Sequence, residues 1–157
     1  LNGDLNMLPE RLVKFVSITP PAAIIDNASA TTAEIDTNGF EHMTVVVYLG
    51  ATDIAMTALA VTHSDTAGSG HANITGLVWG TSTNLDGSTS ALPSATDDNL
   101  FQIAHIDLRG KKRYIVVTAT IGDGAAGTFI TILGILSRAA ESPTTIAEVG
   151  ANEVLLA

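Results

Sequence analysis

Histidine is the residue type in this chain best suited to hold a transition metal, because the chain contains no cysteine. Metal sites built on strands pair their histidines closely, for example as His-x-His followed by a carboxylate. None of the histidines here has the His-x-His or His-x3-His spacing, so the sequence predicts no metal and no other cofactor. We interpret these residues as ordinary strand or loop positions. They are His42, His63, His71 and His105.

Aspartate is the residue type that could carry acid–base chemistry or bind calcium. Asp97 and Asp98 are adjacent, and Asn99 follows them. Carboxylate catalysis needs two groups held about 5 to 10 Å apart across a cleft, which adjacency in a loop does not provide. The Asp-x-Asp-x-Asp spacing of a calcium loop is also missing. A solvated turn is the favoured interpretation, with ion binding by the 81–99 loop left open.

Two glycine-rich stretches resemble motifs of enzymes. Residues 122–127 read Gly-x-Gly-x-x-Gly, but a strand-like run follows, whereas a dinucleotide-binding loop leads into a helix. Residues 67–71 place Ser69 between glycines at the wrong spacing for a nucleophile elbow. We interpret the first as a hairpin turn and the second as a loop. The sequence therefore predicts that the chain is not an enzyme.

The candidate binding residues are a basic cluster and a single tryptophan. Arg109, Lys111, Lys112 and Arg113 form the basic cluster, four of the seven Lys and Arg residues in the chain. Such a cluster either docks on an acidic protein surface or keeps strand edges apart. Trp79, the only tryptophan, is either a core side chain, which is favoured, or an interface anchor.

Composition narrows the class of partner. The formal net charge is −9, and binding to nucleic acid needs a surface rich in Lys and Arg, so we expect no direct nucleic-acid partner. No apolar run approaches the roughly 20 residues of a membrane span, so we expect no membrane partner. The first residues do not resemble a signal peptide.

Short apolar and β-branched runs alternate with turn residues at fairly regular spacing, which is typical of a sandwich. The sequence predicts one all-β domain, a jelly-roll-like antiparallel β-sandwich over residues 1–157. Its core is expected at about 12–138, with extended N- and C-terminal arms at 1–11 and 139–157. The joints at 109–112 and 122–127 are predicted to be hairpins. The predicted strands are 12–18, 31–36, 42–49, 56–63, 101–108, 113–121 and 128–136.

The run from Phe101 to Leu108 has apolar residues on both faces. A strand of that kind is covered on both sides, either by a second sheet or by a neighbouring subunit. The pattern indicates oligomerisation.

Four stretches carry a resemblance to a known family: Glu34–Phe40, Gly76–Gly87, Leu92–Asn99 and Ile106–Tyr114. The last, Ile-Asp-Leu-Arg-Gly leading into Arg-Tyr before a strand, is the most distinctive. They resemble small structural proteins of tailed-bacteriophage heads, the cement or decoration type, which include uncharacterised phage structural proteins.

The resemblance implies a capsid protein on the outer surface of the virion that binds the major capsid protein and stabilises the head. It also implies a homo-oligomer, expected to be a trimer. A tail, collar or fibre component would share this fold and differ in copy number. A carbohydrate-binding β-sandwich module is the alternative from another class, and it would need exposed aromatic residues along a groove.

Overall fold

A computed structural model describes residues 13–141 and 143–155, and these contain eight strands and one short helix. The strands are β1 (Lys14–Thr19), β2 (Ile35–Asp36), β3 (Phe40–Thr52), β4 (Ala58–Ser64), β5 (Ala72–Val78), β6 (Phe101–Asp107), β7 (Tyr114–Thr120) and β8 (Thr128–Ala139), and the helix is α1 (Ile146–Val149).

The strands form two antiparallel four-stranded sheets, in the orders β1-β8-β3-β6 and β2-β7-β4-β5. The first strand pairs with the eighth, the second with the seventh, the third with the sixth and the fourth with the fifth. This is the order of a long hairpin folded over into two Greek keys, which defines a jelly roll. The predicted all-β, jelly-roll-like sandwich is confirmed.

The core lies between the two sheets and follows the period of two that strands impose. On β3, the alternate side chains from Met43 to Leu49 have no exposed surface. Ile132 and Leu136 from β8 and Ile115 and Val117 from β7 fill the same layer. Gly134 lies between Ile132 and Leu136 on the inner face of β8, where an added Cβ would lie 3.0 Å from the Met43 Cε.

The two predicted hairpins are wrong. Residues 109–112 join β6 to β7, and residues 122–127 join β7 to β8, and in both cases the two strands belong to different sheets. Both joints are corners that cross from one sheet to the other. Among the described strands, β4 and β5 are the consecutive pair that forms a hairpin within one sheet.

The sequence interpretation also missed β5. Its exposure pattern does not alternate cleanly, and Gly76 within it has a φ of 85°. The register with β4 shifts between Ala60 and Thr62, so the strand carries a bulge that breaks the period of two. The long polar loop predicted at 81–99 contains no named strand.

The C-terminal segment carries one helical turn, α1, that lies against β1. Thr145 and Glu148 form a capping box at its start, and Gly150 ends it in the left-handed conformation. An added Cβ at Gly150 would collide with the Phe15 carbonyl, which shows how closely the segment follows β1. The predicted N-terminal arm, 1–11, lies outside the described residues. No helix in the described part of the chain is long and apolar enough to cross a membrane.

Candidate interaction surfaces

The basic cluster lies at the corner between β6 and β7, and both of its arginines bind carboxylates of this chain. Arg113 donates two hydrogen bonds to Asp36, at 2.7 and 2.6 Å, which joins β7 to β2. Arg109 donates likewise to Asp107, at 2.9 and 2.8 Å. The hydrogen bonds from these arginines lower the pKa of both carboxyl groups.

The two lysines of the basic cluster are less constrained. Lys112 Nζ lies 3.7 Å from an Asp65 carboxylate oxygen. In the part of the chain that the structure describes, Lys111 has no carboxylate within ion-pair distance. Three of the four cations therefore face a carboxylate of their own chain, and the cluster presents much less positive charge than its sequence suggests.

Trp79 closes one edge of the sandwich. Its side chain is partly buried and packs against the core. The indole Nε1 donates to Gln102 Oε1 on β6 at 3.2 Å, which connects the end of β5 to the other sheet. A cavity of about 300 Å³ lies beside it, with Ser82, Asn84 and Ile103 in its lining.

The outer face of the β1-β8-β3-β6 sheet is a surface that the site predictions did not include. Its residues occupy the strand positions that alternate with the core, and the register places them in rows. Tyr48 pairs with Phe101, and their rings stack with centroids 4.6 Å apart. In the next row, Val46 lies between Ile103 and Leu133.

The following row continues this surface across the sheet, with Ile135 paired to Phe15 on β1. Phe129 extends it at the other end, where its Cβ lies over Gly50. Phe101 is 59% exposed, Ile103 52% and Phe129 45%. We call this surface the apolar face, and it consists of Phe15, Val46, Tyr48, Phe101, Ile103, Phe129, Leu133 and Ile135.

A histidine pair borders the apolar face. The rings of His42 and His105 stack at 5.9 Å, and each Nδ1 lies 3.1 Å from a hydroxyl group of a neighbouring strand. Burial is the main cause that lowers the pKa of His42, and the charges of His105 and Arg138 add to it, while Asp107 acts in the opposite direction.

His63, on the inner side of β4, is subject to the same effect. Its Nδ1 accepts a hydrogen bond from the Lys112 backbone N–H at 3.2 Å. Burial lowers its pKa, and so do the charges of Lys112 and Lys111, while Asp65 raises it. The fold therefore favours the neutral form of both His42 and His63.

We expect the free energy of unfolding to decrease as the pH is lowered from about 7 to about 5. The unfolded chain binds protons on His42 and His63 at the ordinary pKa of about 6.5, whereas the folded chain binds them at lower pH. The unfolded state therefore holds more protons in this window, and acid favours it. Urea denaturation across the pH range should show a smaller decrease for the double variant His42→Asn/His63→Asn. An equal decrease in both proteins would contradict this assignment.

The Gly-x-Gly-x-x-Gly loop binds the carboxylate of Asp53, a residue of the same chain. The backbone N–H groups of Ala125 and Ala126 donate to one oxygen of Asp53 at 2.6 Å, and Gly127 donates to the other at 3.1 Å. These bonds lower the pKa of Asp53. The loop therefore fastens the β7–β8 corner to the end of β3.

The remaining carboxylates considered in the sequence have separate partners. Asp97 accepts from the Ser94 N–H at 2.7 Å, and Asp98 accepts from the Thr52 N–H at 2.8 Å. Within residues 13–141 and 143–155, no three His, Cys, Asp or Glu side chains come together in a way that could hold a metal ion.

Comparison with known proteins finds a distant structural neighbour. No family model matches the chain, and no curated protein matches it. Among solved structures, the SPBc2 prophage-derived protein YomS has a TM-score of 0.46 and is 14% identical, over 79% of this chain and 91% of that chain. A likeness at this level carries no argument about function.

The structure brings together two of the stretches on which the family resemblance rests. Asp36 and Thr37, from the first stretch, bind Arg113 from the last, through the ion pair and through a 2.7 Å bond from Thr37 Oγ1 to the Arg113 carbonyl. These residues hold β2 to β7 at one corner of the sandwich. The most distinctive motif therefore has a clear structural role in the jelly roll.

Proposed function

We propose that this chain is a structural protein of a tailed-bacteriophage virion, a cement or decoration protein on the outer surface of the head. Its partners are the major capsid protein and further copies of itself, with a trimer as the expected assembly. The family resemblance supports the virion assignment, and the jelly roll is compatible with it. The observation that carries a role in assembly is the apolar face, since large half-exposed patches mark surfaces that pack against other proteins.

Lattice binding does not require a strong individual contact. When many copies bind one particle and one another, the effective concentration of each contact is high, and weak contacts add up to firm attachment. A flat apolar sheet face and a corner with a few charges are adequate for such a role. No catalytic step and no cofactor enter this proposal.

The direct test is reconstitution on capsids that lack the protein. We expect the purified chain to sediment with such capsids, and to reach saturation at a fixed ratio to the major capsid protein. Failure to bind intact capsids while binding tails would assign it instead to the tail, collar or fibre. Failure to bind either particle would contradict a virion role.

Within the basic cluster, Lys111 is the residue to change, because it carries no ion pair whose loss would disturb the corner in the described structure. If the cluster docks on an acidic surface, Lys111→Glu should reduce capsid occupancy severalfold, because it reverses the unneutralised charge. The double variant Thr75→Glu/Thr118→Glu, at exposed positions of β5 and β7, is the matched control with the same change in net charge. Equal occupancy for both variants and the unchanged protein would remove the cluster from the docking surface.

A carbohydrate-binding module is the second candidate, favoured by the cavity of about 300 Å³ beside Trp79. Hydroxyl and amide groups near an aromatic ring are what a sugar ring requires. Because Trp79 is the single tryptophan and lines this cavity, tryptophan fluorescence responds to a ligand that binds there. A saturable change in fluorescence on adding simple sugars would support this candidate, and no change would exclude it for the sugars tested.

A further inference from the structure

We propose that the apolar face is the surface through which copies of this chain pack against one another. The inference rests on the self-association in the proposed function and names the surface that provides it. The basic cluster is less suited to this contact, because three of its four cations already form ion pairs with Asp36, Asp107 and Asp65. The occupant of the apolar face is a second copy of the same face, a two-fold contact that gives a dimer in place of the trimer expected from the resemblance.

The two outer faces of the sandwich differ in chemistry. On the β2-β7-β4-β5 sheet, the corresponding rows pair Ala, Thr and Ser with Thr, Val and Tyr: Ala58 with Thr120, Ala60 with Thr118, Thr62 with Val116 and Ser64 with Tyr114. The apolar face instead presents Phe, Tyr, Ile, Leu and Val side chains in consecutive rows. Contact with another protein would remove much more apolar surface from water on this side.

Charge favours a second copy as the occupant. The chain has a net charge of −9, so most pairs of its surfaces repel one another. The apolar face contains no Lys, Arg, Asp or Glu, and the nearest carboxylate on its border, Asp107, is paired with Arg109. In a two-fold contact between identical faces, residue i meets residue j and residue j meets residue i, so the apolar side chains of one copy meet the apolar side chains of the other. This face therefore allows two acidic copies to meet with little repulsion.

The size of the apolar face is sufficient for a weak, specific contact. Strands lie about 4.8 Å apart and advance about 3.3 Å per residue, so four strands crossed by the residues from Phe129 to Ile135 cover roughly 440 Å². Two such faces bury roughly 900 Å² in total, in the range of weak, transient interfaces. We expect an association that depends on concentration in solution and becomes firm when many copies are held together.

Analytical ultracentrifugation of the full chain over a wide concentration range tests this inference. We expect reversible self-association that Ile103→Glu weakens at least about tenfold, because the variant buries a charge in the apolar contact. Thr118→Glu is the matched control, since it adds the same charge at an exposed position of β7, on the outer face of the opposite sheet. The control should associate like the unchanged chain.

Two results would overturn the inference: a chain that stays monomeric at every concentration, or Ile103→Glu associating as tightly as Thr118→Glu. Circular dichroism establishes that each variant is folded. Should Ile103→Glu fail to fold, Phe101→Ser gives the same test through a milder change at a residue that is 59% exposed. The measurement involves no capsid, so its failure is distinct from failure to bind the head.

Discussion

Replacing Gly127 with alanine is expected to destabilise the fold strongly, although the change adds a single methyl group. Gly127 has a φ of 76°, where an L-residue costs about 1–3 kcal/mol. Its added Cβ would also lie 2.5 Å from the Ile25 carbonyl oxygen, so the Ile25–Thr128 bridge must move. Overpacking of this kind costs about 1–3 kcal/mol more.

Gly87→Ala separates these two effects. Gly87 has a comparable φ of 87°, but an added Cβ there meets nothing within 4 Å. The control should therefore lose the backbone contribution alone. Urea denaturation of both variants gives the comparison, and equal losses would show that the contact with Ile25 does not restrict the β7–β8 corner.

Truncating Leu136 to alanine is expected to lower the free energy of unfolding by about 2–5 kcal/mol. The side chain lies on the inner face of β8, has no exposed surface and pairs in register with Met43 of β3. Its removal leaves a cavity between two central strands, where the backbone has little freedom to collapse. Thermal or urea denaturation measures the loss.

Leu133→Ala is the matched control, with the same chemical change three residues away on the same strand. Leu133 lies on the apolar face and is partly exposed, so its truncation creates no enclosed cavity and should cost much less. Similar losses for the two variants would contradict the assignment of inner and outer faces on β8.

Strand positions were predictable because burial of one face of a strand makes every second residue apolar. The alternating, β-branched run around Val45 and Val47 lies on β3, whose inner side chains are fully buried. The last third of the chain gave its three strands for the same reason. β5 was missed because Gly76 and a register shift interrupt its period. The alternation of apolar and polar residues reflects burial, and a bulge breaks this alternation, so the strand can no longer be recognised from the sequence.

The pairing of strands was harder to predict than their positions. Glycine, aspartate and lysine suit a hairpin turn and a corner between sheets equally well, so the composition of 109–112 and 122–127 could not separate the two. The difference arises from long-range pairing, in which β6 and β8 both join β3. The structure also shows that the backbone N–H groups of Ala125, Ala126 and Gly127 bind Asp53, which no local pattern reveals.

The candidate surfaces were also only partly predictable, since local sequence reveals which residues cluster along the chain and the fold decides what lies next to them. The basic cluster was visible in sequence, but its carboxylate partners Asp36 and Asp65 lie far away along the chain and only the fold brings them near. For the apolar face, the mixed pattern of Phe101 to Leu108 indicated apolar residues on both sides of β6, and Phe101 and Ile103 do lie exposed on the outer side. That another copy covers them stays a prediction. Its full extent required the register that aligns β6, β3, β8 and β1.

A jelly roll with one hydroxyl-rich outer face and one apolar outer face suits a protein that attaches to a lattice. In the proposed assembly, the apolar face provides the contacts between copies, and the other surfaces, with their acidic character, remain available for the capsid or for solvent. The capping box of α1 and the Asp53 bonds secure the ends and corners of the sandwich without any disulfide.

The most direct test of the virion role is the copy number of this protein in purified particles, measured by quantitative mass spectrometry against the major capsid protein. We expect a number of copies comparable to the number of capsid subunits, as for a protein that covers the whole lattice. A few copies per particle would contradict the decoration role and assign the protein to the tail or a vertex. Complete absence from purified particles would contradict any structural role in the virion.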